Sequence, residues 1–328
     1  MMMTGKRKRP STSVPPVYAA LDCLCHTEQE KIPGYGEDSY CYRISEDSVL
    51  LGVFDGCGGS GAKKYPIYQN RTGAYMGARA VAGATRQWFE TSLPLDGCDE
   101  NRQTLKDSIV KSMMICRENC GNQGSKIRGS ISKEFPTTAA IARCSVVHGQ
   151  LTVECYWAGD SRVYLLDEDG LAQLTADDLD DLDAYENISG DGVLTNVISA
   201  SKPFTIHGRS VKLQKPFLVF AATDGCFGYI PSPMEFEQVL LEQLMVADSM
   251  EDFEKRLHLK LAEVAGDDFA FVGAAFGFGI FLNMQECLEK RYRILKRQYL
   301  SGISAMDPES RRLVWKRYQK DYYRFYMD

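Results

Sequence analysis

The chain has 328 residues, of which 44% are hydrophobic and 25% are charged, and its net charge at pH 7 is −6. This composition is typical of a globular protein and excludes a mainly disordered chain. The negative charge argues against general affinity for nucleic acid, so we expect no nucleic-acid partner. The longest apolar run, residues 269–282, is too short for a bilayer span, so we expect no membrane partner.

The N-terminal residues and the cysteines indicate the cellular compartment. The basic first ten residues are not followed by an apolar stretch, which predicts no secretory signal. The 11 cysteines are odd in number and irregularly spaced, which is typical of reduced thiols in a cytoplasmic protein. Cys23, Cys25 and His26 have the residue types of a partial metal site, but no second Cys/His pair completes it, and we favour a structural role for them.

Elements can be predicted in chain order from apolar periodicity and turn residues. Residues 1–14 are predicted to be a basic disordered tail. Strands are predicted at 17–25, 39–44, 49–54, 137–147, 151–157, 162–166, 211–213 and 217–222, with one or two more in 269–282. Helices are predicted at 62–90, 101–119, 234–245 and 249–264. A turn at His148 and Gly149 joins two strands, and a second turn spans 167–170. The loop 176–201 is rich in aspartate and too long for a plain connection.

The last 45 residues predict a helical hairpin. One helix starts near Met284 and ends at Gly302, and Asp307 with Pro308 starts another. The second helix has an apolar stripe and a strongly basic face, which we expect to face the acidic loop. The stripe must be buried, either on the same chain or on a partner protein, and we favour the same chain slightly. We also expect the hairpin to be dispensable for metal binding.

Acidic residues recur where apolar stretches begin or end, which is the strongest chemical signal in the sequence. These places are Glu37-Asp38, Asp55-Gly56, Asp160, Asp224-Gly225 and Asp267-Asp268. Strand ends that meet at one edge of a sheet bring such carboxylates together, and the resulting repulsion favours bound divalent metal. Ligands that are all oxygen atoms favour magnesium or manganese.

The acids belong to a series of short motifs that occur in a fixed order along the chain. These are Gly36-Glu37-Asp38-Ser39, Val53-Phe54-Asp55-Gly56-Cys57-Gly58-Gly59, Pro136-Thr137-Thr138-Ala139-Ala140, Ala158-Gly159-Asp160-Ser161-Arg162-Val163-Tyr164, Leu174-Thr175-Ala176-Asp177-Asp178, Ala222-Thr223-Asp224-Gly225 and Asp267-Asp268-Phe269. Together and in this order, the motifs resemble those of the metal-dependent serine/threonine protein phosphatases of the PPM (type 2C) family. The resemblance covers residues 17–281.

The resemblance implies an α+β fold, a four-layer α/β/β/α sandwich in which helix pairs flank two antiparallel sheets. This agrees with the clustering of the predicted strands and the pairing of the helices. The implied organisation is a basic tail (1–14), a PPM-type phosphatase domain (15–283) and an appended C-terminal helical hairpin (284–328). The acidic loop corresponds to the family's variable flap beside the site.

The resemblance also implies a site with two divalent ions, manganese or magnesium, and a bridging hydroxide that attacks phosphorus. Asp55 would bridge the ions, Asp224 and Asp267 would complete one, and Glu37 with the carbonyl of Gly56 would bind the other. Asp160 matches the position of a third, weaker ion. Asp268 is the alternative to Asp267, because a shift of one residue exchanges them, and Asp38 would lie behind the ligands.

Two departures from the family pattern concern the phosphate and the leaving group. Pro33 stands where the family has a phosphate-binding arginine, and Lys31, Lys63 or Lys64 are the candidate substitutes. Cys57 stands where the family often has a histidine that acts as general acid.

The leading hypothesis is hydrolysis of phosphoserine and phosphothreonine in a phosphoprotein substrate. The alternatives are a pseudophosphatase, which binds a partner without hydrolysis, and a phosphatase for small molecules. The complete set of acids favours an enzyme, while the missing arginine leaves the substrate class open.

Overall fold

In the computed structural model, residues 20–92, 97–120, 133–147, 150–180, 183–189, 192–304 and 307–326 are described. The expected basic tail (1–14) and the turn at His148 and Gly149 lie outside these ranges. The strands are β1 (Leu21–Gln29), β2 (Ser39–Ile44), β3 (Ser48–Phe54), β4 (Lys64–Tyr65), β5 (Arg71–Thr72), β6 (Ala139–Val147), β7 (Gln150–Ala158), β8 (Arg162–Asp167), β9 (Gly170–Gln173), β10 (His207–Leu213), β11 (Phe217–Ala222) and β12 (Phe269–Phe276).

The helices flank these strands along the chain. They are α1 (Gly58–Gly61), α2 (Gly73–Thr91), α3 (Cys98–Asn119), α4 (Glu186–Ser189), α5 (Asp224–Phe227), α6 (Pro233–Val246), α7 (Met250–Val264), α8 (Phe281–Ile294) and α9 (Pro308–Tyr322). A π-helical turn (Leu295–Tyr299) and a 3-10 turn (Leu300–Gly302) extend α8. None of the helices in the described part of the chain is long and apolar enough to cross a membrane.

Within the described residues, ten strands form two five-stranded antiparallel sheets. Sheet one has the order β1-β12-β11-β8-β9 and sheet two has the order β10-β7-β6-β3-β2. The short strands β4 and β5 form a separate ribbon. Helices α2 and α3 pack on sheet two, and α7 packs on β1 of sheet one. The α+β sandwich expected from the sequence is therefore confirmed.

The apolar strand β11 shows why two sheets and outer helices are needed. Its six residues are all buried. Val219 and Ala221 face the core between the sheets, while Leu218, Phe220 and Ala222 belong to the core under the helices. Because successive side chains of a strand point to opposite faces, a continuously apolar strand requires cover on both sides.

The C-terminal helices complete the core over sheet one. Residues from α8, its extension and α9 share one buried cluster with α6, among them Met284, Leu288, Leu295, Val314, Trp315, Tyr318 and Tyr322. The Asp307 side chain accepts the backbone N–H of Glu309 and caps α9, as the sequence predicts. The apolar stripe of the second C-terminal helix is therefore buried on the same chain, as favoured from the sequence. The domain boundary at residue 284 stays a prediction.

Three local predictions need correction. The strand β1 begins at Leu21 and continues to Gln29, because its polar second half pairs with β12. Residues 64–72 form the β4–β5 ribbon with a 3-10 turn at Pro66–Tyr68 instead of the start of a long α-helix, since Gln69 and Asn70 adopt left-handed conformations with φ of 56° and 60°. The predicted turn after β8 leads directly into β9, which is too short for sequence periodicity to reveal.

Candidate metal centre

The acidic residues stand at strand ends that meet at one end of the sandwich. In sheet one, Asp224 follows β11, while Asp160 precedes β8 and Asp267 and Asp268 precede β12, the two strands beside β11. In sheet two, Asp55 follows β3, and Glu37 and Asp38 precede its antiparallel neighbour β2. The end of one antiparallel strand lies beside the start of the next, so the topology brings these carboxylates to the same edge.

Two carboxyl groups in the middle of this group strongly resist ionisation. Burial raises the pKa of Asp55 well above its ordinary value, and the charges of Asp38, Asp224 and Asp160 raise it further. Burial also raises the pKa of Asp38 well above its ordinary value, with further contributions from Asp224 and Asp268. The fold thus holds like charges close together and away from water. A bound cation would reduce the repulsion between these charges.

Asp160 and Asp224 belong to the same group. Burial and the charges of Asp224 and Asp177 raise the pKa of Asp160 to about 8. Burial and the charge of Asp267 raise the pKa of Asp224 to about 6. These carboxyl groups therefore interact with one another at the same end of sheet one.

The donor set fits a hard divalent ion. Within the described residues, Oδ2 of Asp38 and Oδ1 of Asp160 are buried and have no hydrogen-bond partner, which is costly unless a cation binds there. In the same part of the chain, no three His, Cys, Asp or Glu side chains are already arranged around one ion position. Binding would therefore require the carboxylates to turn toward a common point.

Glu37 is held by the turn that follows β3. Its Oε1 accepts the hydroxyl hydrogen of Thr72, and burial raises its pKa. A Cβ on Gly58 would collide with its Oε2, and a Cβ on Gly56 would lie 2.8 Å from the carbonyl oxygens of Glu37 and Ala74. The glycines are therefore needed for the close approach of this turn to Glu37.

Asp267 and Asp268, which the sequence leaves as alternatives, have different contacts. Asp268 accepts the backbone N–H of Lys31 at Oδ1 and that of Glu37 at Oδ2, both at 2.7 Å. Its carboxylate thus clamps the loop before β2. Asp267 is exposed, and its charge acts on Asp224 and Glu37. These contacts favour Asp267 as the ligand, an assignment that stays a prediction.

Cys57 occupies the N-cap position of the short helix α1, two residues after Asp55, and its side chain makes no capping hydrogen bond. Its backbone N–H donates to the carbonyl oxygen of Pro136 at 3.1 Å. Burial and the charges of Asp55 and Asp160 raise the pKa of the thiol, while Lys133 opposes the shift. The thiol therefore keeps its proton at neutral pH, and its role as a general acid stays a prediction.

The three lysines predicted to bind phosphate belong to two segments: Lys31 follows β1, and Lys63 and Lys64 are neighbours at the start of β4. Lys31 and Lys64 are exposed, and the ammonium of Lys63 lies 4.8 Å from the ring centroid of Tyr65. Whether any of them binds phosphate stays a prediction.

Sequence reasoning missed two cations close to the site. Nη1 of Arg79 on α2 lies 3.4 Å from the carbonyl oxygen of Glu37, and the backbone N–H of Lys133 donates to the carbonyl oxygen of Ser60 on α1. Only the tertiary fold brings them there, and no short motif signals either one.

A cavity of about 380 Å³ opens beside the carboxylates. Its lining includes the carboxylates Asp160 and Asp224 together with Leu179, Asn187 and Ile188 of the acidic loop. Beneath it, the buried Arg162 pairs with Asp177 at 2.6 Å. The loop identified from the sequence as a flap therefore borders the same cavity as the predicted metal ligands.

No family model matches the sequence. No curated protein matches it either. Solved structures do match the fold. The serine/threonine phosphatase Stp1 from Staphylococcus aureus has a TM-score of 0.59 at 16% identity, over 84% of this chain and 100% of Stp1. The phosphatase PstP/Ppp of Mycobacterium tuberculosis has a TM-score of 0.52 at 14% identity, over 77% of this chain and 97% of its own. The PstP catalytic domain in complex with two manganese ions matches with the same values.

These likenesses establish that the chain has the fold of the PPM-type serine/threonine phosphatases. The resemblance in the sequence is therefore confirmed at the level of the fold.

Proposed function

We propose that this chain is a metal-dependent phosphatase that hydrolyses phosphoserine and phosphothreonine in proteins. The observation that carries the proposal is the meeting of strand-end carboxylates from both sheets, with pKa values raised by burial and mutual repulsion. A bound cation would offset the repulsion between these carboxylates, which favours a metal site at this position. The PPM-type fold and the two manganese ions in the PstP neighbour support the same interpretation.

The proposed ligands follow the sequence motifs. Asp55 would contact both ions, Asp224 and Asp267 would complete one, and Glu37 with the Gly56 carbonyl would complete the other. Asp160 is proposed for a third ion, and Asp38 for support behind the ligands. Bound manganese or magnesium lowers the pKa of coordinated water and offsets charge on the phosphoryl oxygens.

The surrounding residues orient these groups and the substrate. Thr72 holds the Glu37 carboxylate, and the Asp268 clamp holds the backbone of Glu37. Arg79 and Lys133 join Lys31, Lys63 and Lys64 as candidates for binding the phosphate that the missing arginine would hold. We propose a cytoplasmic location, which is consistent with the free cysteines of the described chain.

One observation favours a second candidate, a binding module without hydrolysis. Pro33 stands at the position of the family's phosphate-binding arginine, so that means of holding the phosphate is missing from this chain. A phosphatase for small molecules would share the metal site and differ only in the substrate it accepts.

The substitution Asp55→Asn tests the proposal against both alternatives. We expect manganese-dependent hydrolysis of phosphothreonine peptides to fall by more than about 100-fold, beyond the 10–100-fold typical of substitutions outside the ligand shell. We also expect the rise in melting temperature caused by manganese to disappear, because only the folded ligand set binds the ion.

The matched control is Asp169→Asn, which changes an exposed aspartate paired with Lys215. This variant should keep the manganese-dependent hydrolysis and the manganese-induced rise in melting temperature. Activity in chelator-treated parent protein would contradict the metal mechanism. A manganese-induced melting shift without any hydrolysis would support the binding module, and hydrolysis of an aryl phosphate alone would support a small-molecule substrate.

A further inference from the structure

We propose that helix α9 positions the flap over the cavity beside the carboxylates, with Trp315 and Tyr323 as the positioning residues. We define the flap segment as residues 183–188. The proposal rests on the proposed phosphatase function, because the cavity is where a phosphoprotein would meet the site. It assigns the C-terminal helix a role in substrate recognition as well as in the core.

The flap segment is held to α9 by direct contacts. Nε1–H of Trp315 donates to Oδ2 of Asp183 at 3.0 Å, and the backbone N–H of Ala184 donates to the hydroxyl oxygen of Tyr323 at 2.8 Å. The rings of Tyr185 and Trp315 stack with centroids 6.1 Å apart. Arg312 forms an ion pair with Glu186. Four successive flap residues therefore contact α9 and the residue that follows it.

A second connection passes under the flap. The hydroxyl of Tyr322 donates to Oε1 of Gln173 at 2.9 Å, and the Gln173 amide donates to Oδ1 of Asp177 at 2.9 Å. Asp177 also accepts from Arg162 and from the side chain of Asn187, the latter at 3.0 Å. This chain of hydrogen bonds links α9 to the flap residue Asn187.

These connections reach the cavity wall itself. Asn187 and Ile188 line the same cavity as Asp160 and Asp224, and they follow directly after the residues bound to α9. Their placement relative to the carboxylates therefore depends on where α9 lies. Trp315 is buried at 2% exposure, so this anchor is part of the rigid core.

The two substrate classes should respond differently when the anchor is weakened. A phosphopeptide extends beyond its phosphate and meets the flap, whereas an aryl phosphate is small enough to leave it untouched. Loss of an anchoring hydrogen bond should therefore raise the KM for peptide and leave the kinetics with aryl phosphate unchanged. The expected rise is about 2- to 10-fold, the range that one hydrogen bond accounts for.

The test uses the full chain with manganese and the variants Tyr323→Phe and Trp315→Phe. The matched control is Tyr299→Phe, which also removes one hydroxyl from a half-buried tyrosine of the C-terminal segment. That hydroxyl donates to Asp321 at 2.9 Å, within the helical hairpin. We measure amide hydrogen exchange in the flap segment and in α7, together with kcat and KM for both substrates.

We expect faster exchange in the flap segment and a higher KM for peptide in the two variants, with α7 and the control variant unchanged. Unchanged flap exchange, or equal changes in Tyr299→Phe, would overturn the proposal. A loosened flap with an unchanged peptide KM would also overturn it. Absence of turnover in the parent protein would defeat the proposed phosphatase function instead. In that case, amide hydrogen exchange in the flap segment and the binding affinity for phosphopeptide would test whether Trp315 and Tyr323 position the flap.

Discussion

A glycine in the turn after β3 leaves room for the carboxylate of Glu37. Gly58 leaves no room for a Cβ beside Glu37, whereas a Cβ added to Gly59, the next residue of the same short helix, would meet nothing within 4 Å. Alanine substitutions at Gly58 and Gly59 therefore separate the effect of a methyl group on Glu37 from its effect on helix α1.

We predict that Gly58→Ala weakens manganese binding while Gly59→Ala does not. The new methyl group must displace the end of the flexible Glu37 side chain, so the fold itself should lose little stability. The manganese concentration for half-maximal activity, and for half of the melting shift, should rise about tenfold or more for Gly58→Ala, as for changes beside metal ligands. Equal manganese affinity in the two variants would remove Glu37 from the ligand set.

Helix α8 is joined to the rest of the molecule by a buried ion pair. Arg291 donates to both oxygens of Glu237 on α6, at 2.7 and 2.9 Å, and also to Asp321 on α9 at 2.9 Å. The side chain of Glu237 is fully buried and also accepts the hydroxyl hydrogen of Tyr318. One arginine thus joins three helices.

We predict that Arg291→Met destabilises the fold by about 3–5 kcal/mol, because it leaves the Glu237 carboxylate buried without its cation. Arg293→Met is the matched control on the same helix. It removes only an exposed pair with Glu289 and should cost less than about 1 kcal/mol. Urea unfolding at constant manganese concentration measures both values. Similar midpoints for the two variants would show that the buried pair contributes little.

For the whole molecule, the C-terminal helices are part of one core with sheet one. Their buried side chains pack in the same cluster as Phe236, Leu240 and Phe220. The exposed faces carry the charges, as expected for an amphipathic hairpin. Sequence reasoning predicts that this segment is dispensable for metal binding, but its burial leads us to expect the opposite.

We predict that a chain ending at residue 283 does not fold into a soluble, manganese-binding protein. The deletion removes seven buried apolar side chains, and each contributes about 1.5–3 kcal/mol when fully buried. That sum approaches or exceeds the roughly 5–15 kcal/mol by which proteins are stable. Expression yield and a manganese-dependent melting transition are the measurements. A soluble truncated protein with a normal manganese response would show that residues 15–283 form an independent domain.

Local patterns in the sequence were sufficient to predict the fold class and most of the candidate ligands. The apolar runs before Asp55 and Asp224 end abruptly at acids, and this requires no knowledge of distant contacts. The same holds for the cap at Asp307, which is formed with its neighbour Glu309. Hydrophobic periodicity and capping are properties of adjacent residues, so a linear sequence expresses them directly.

The tertiary structure alone decided how distant residues meet. It showed that Asp268 clamps the loop before Glu37, which favours Asp267 as the ligand. It brought Arg79 to the carbonyl of Glu37 and placed Trp315 against the flap 132 residues earlier in the chain. Contacts over such separations depend on how the sheets and helices pack. No local propensity determines that packing, because its energy arises only when the whole core is assembled.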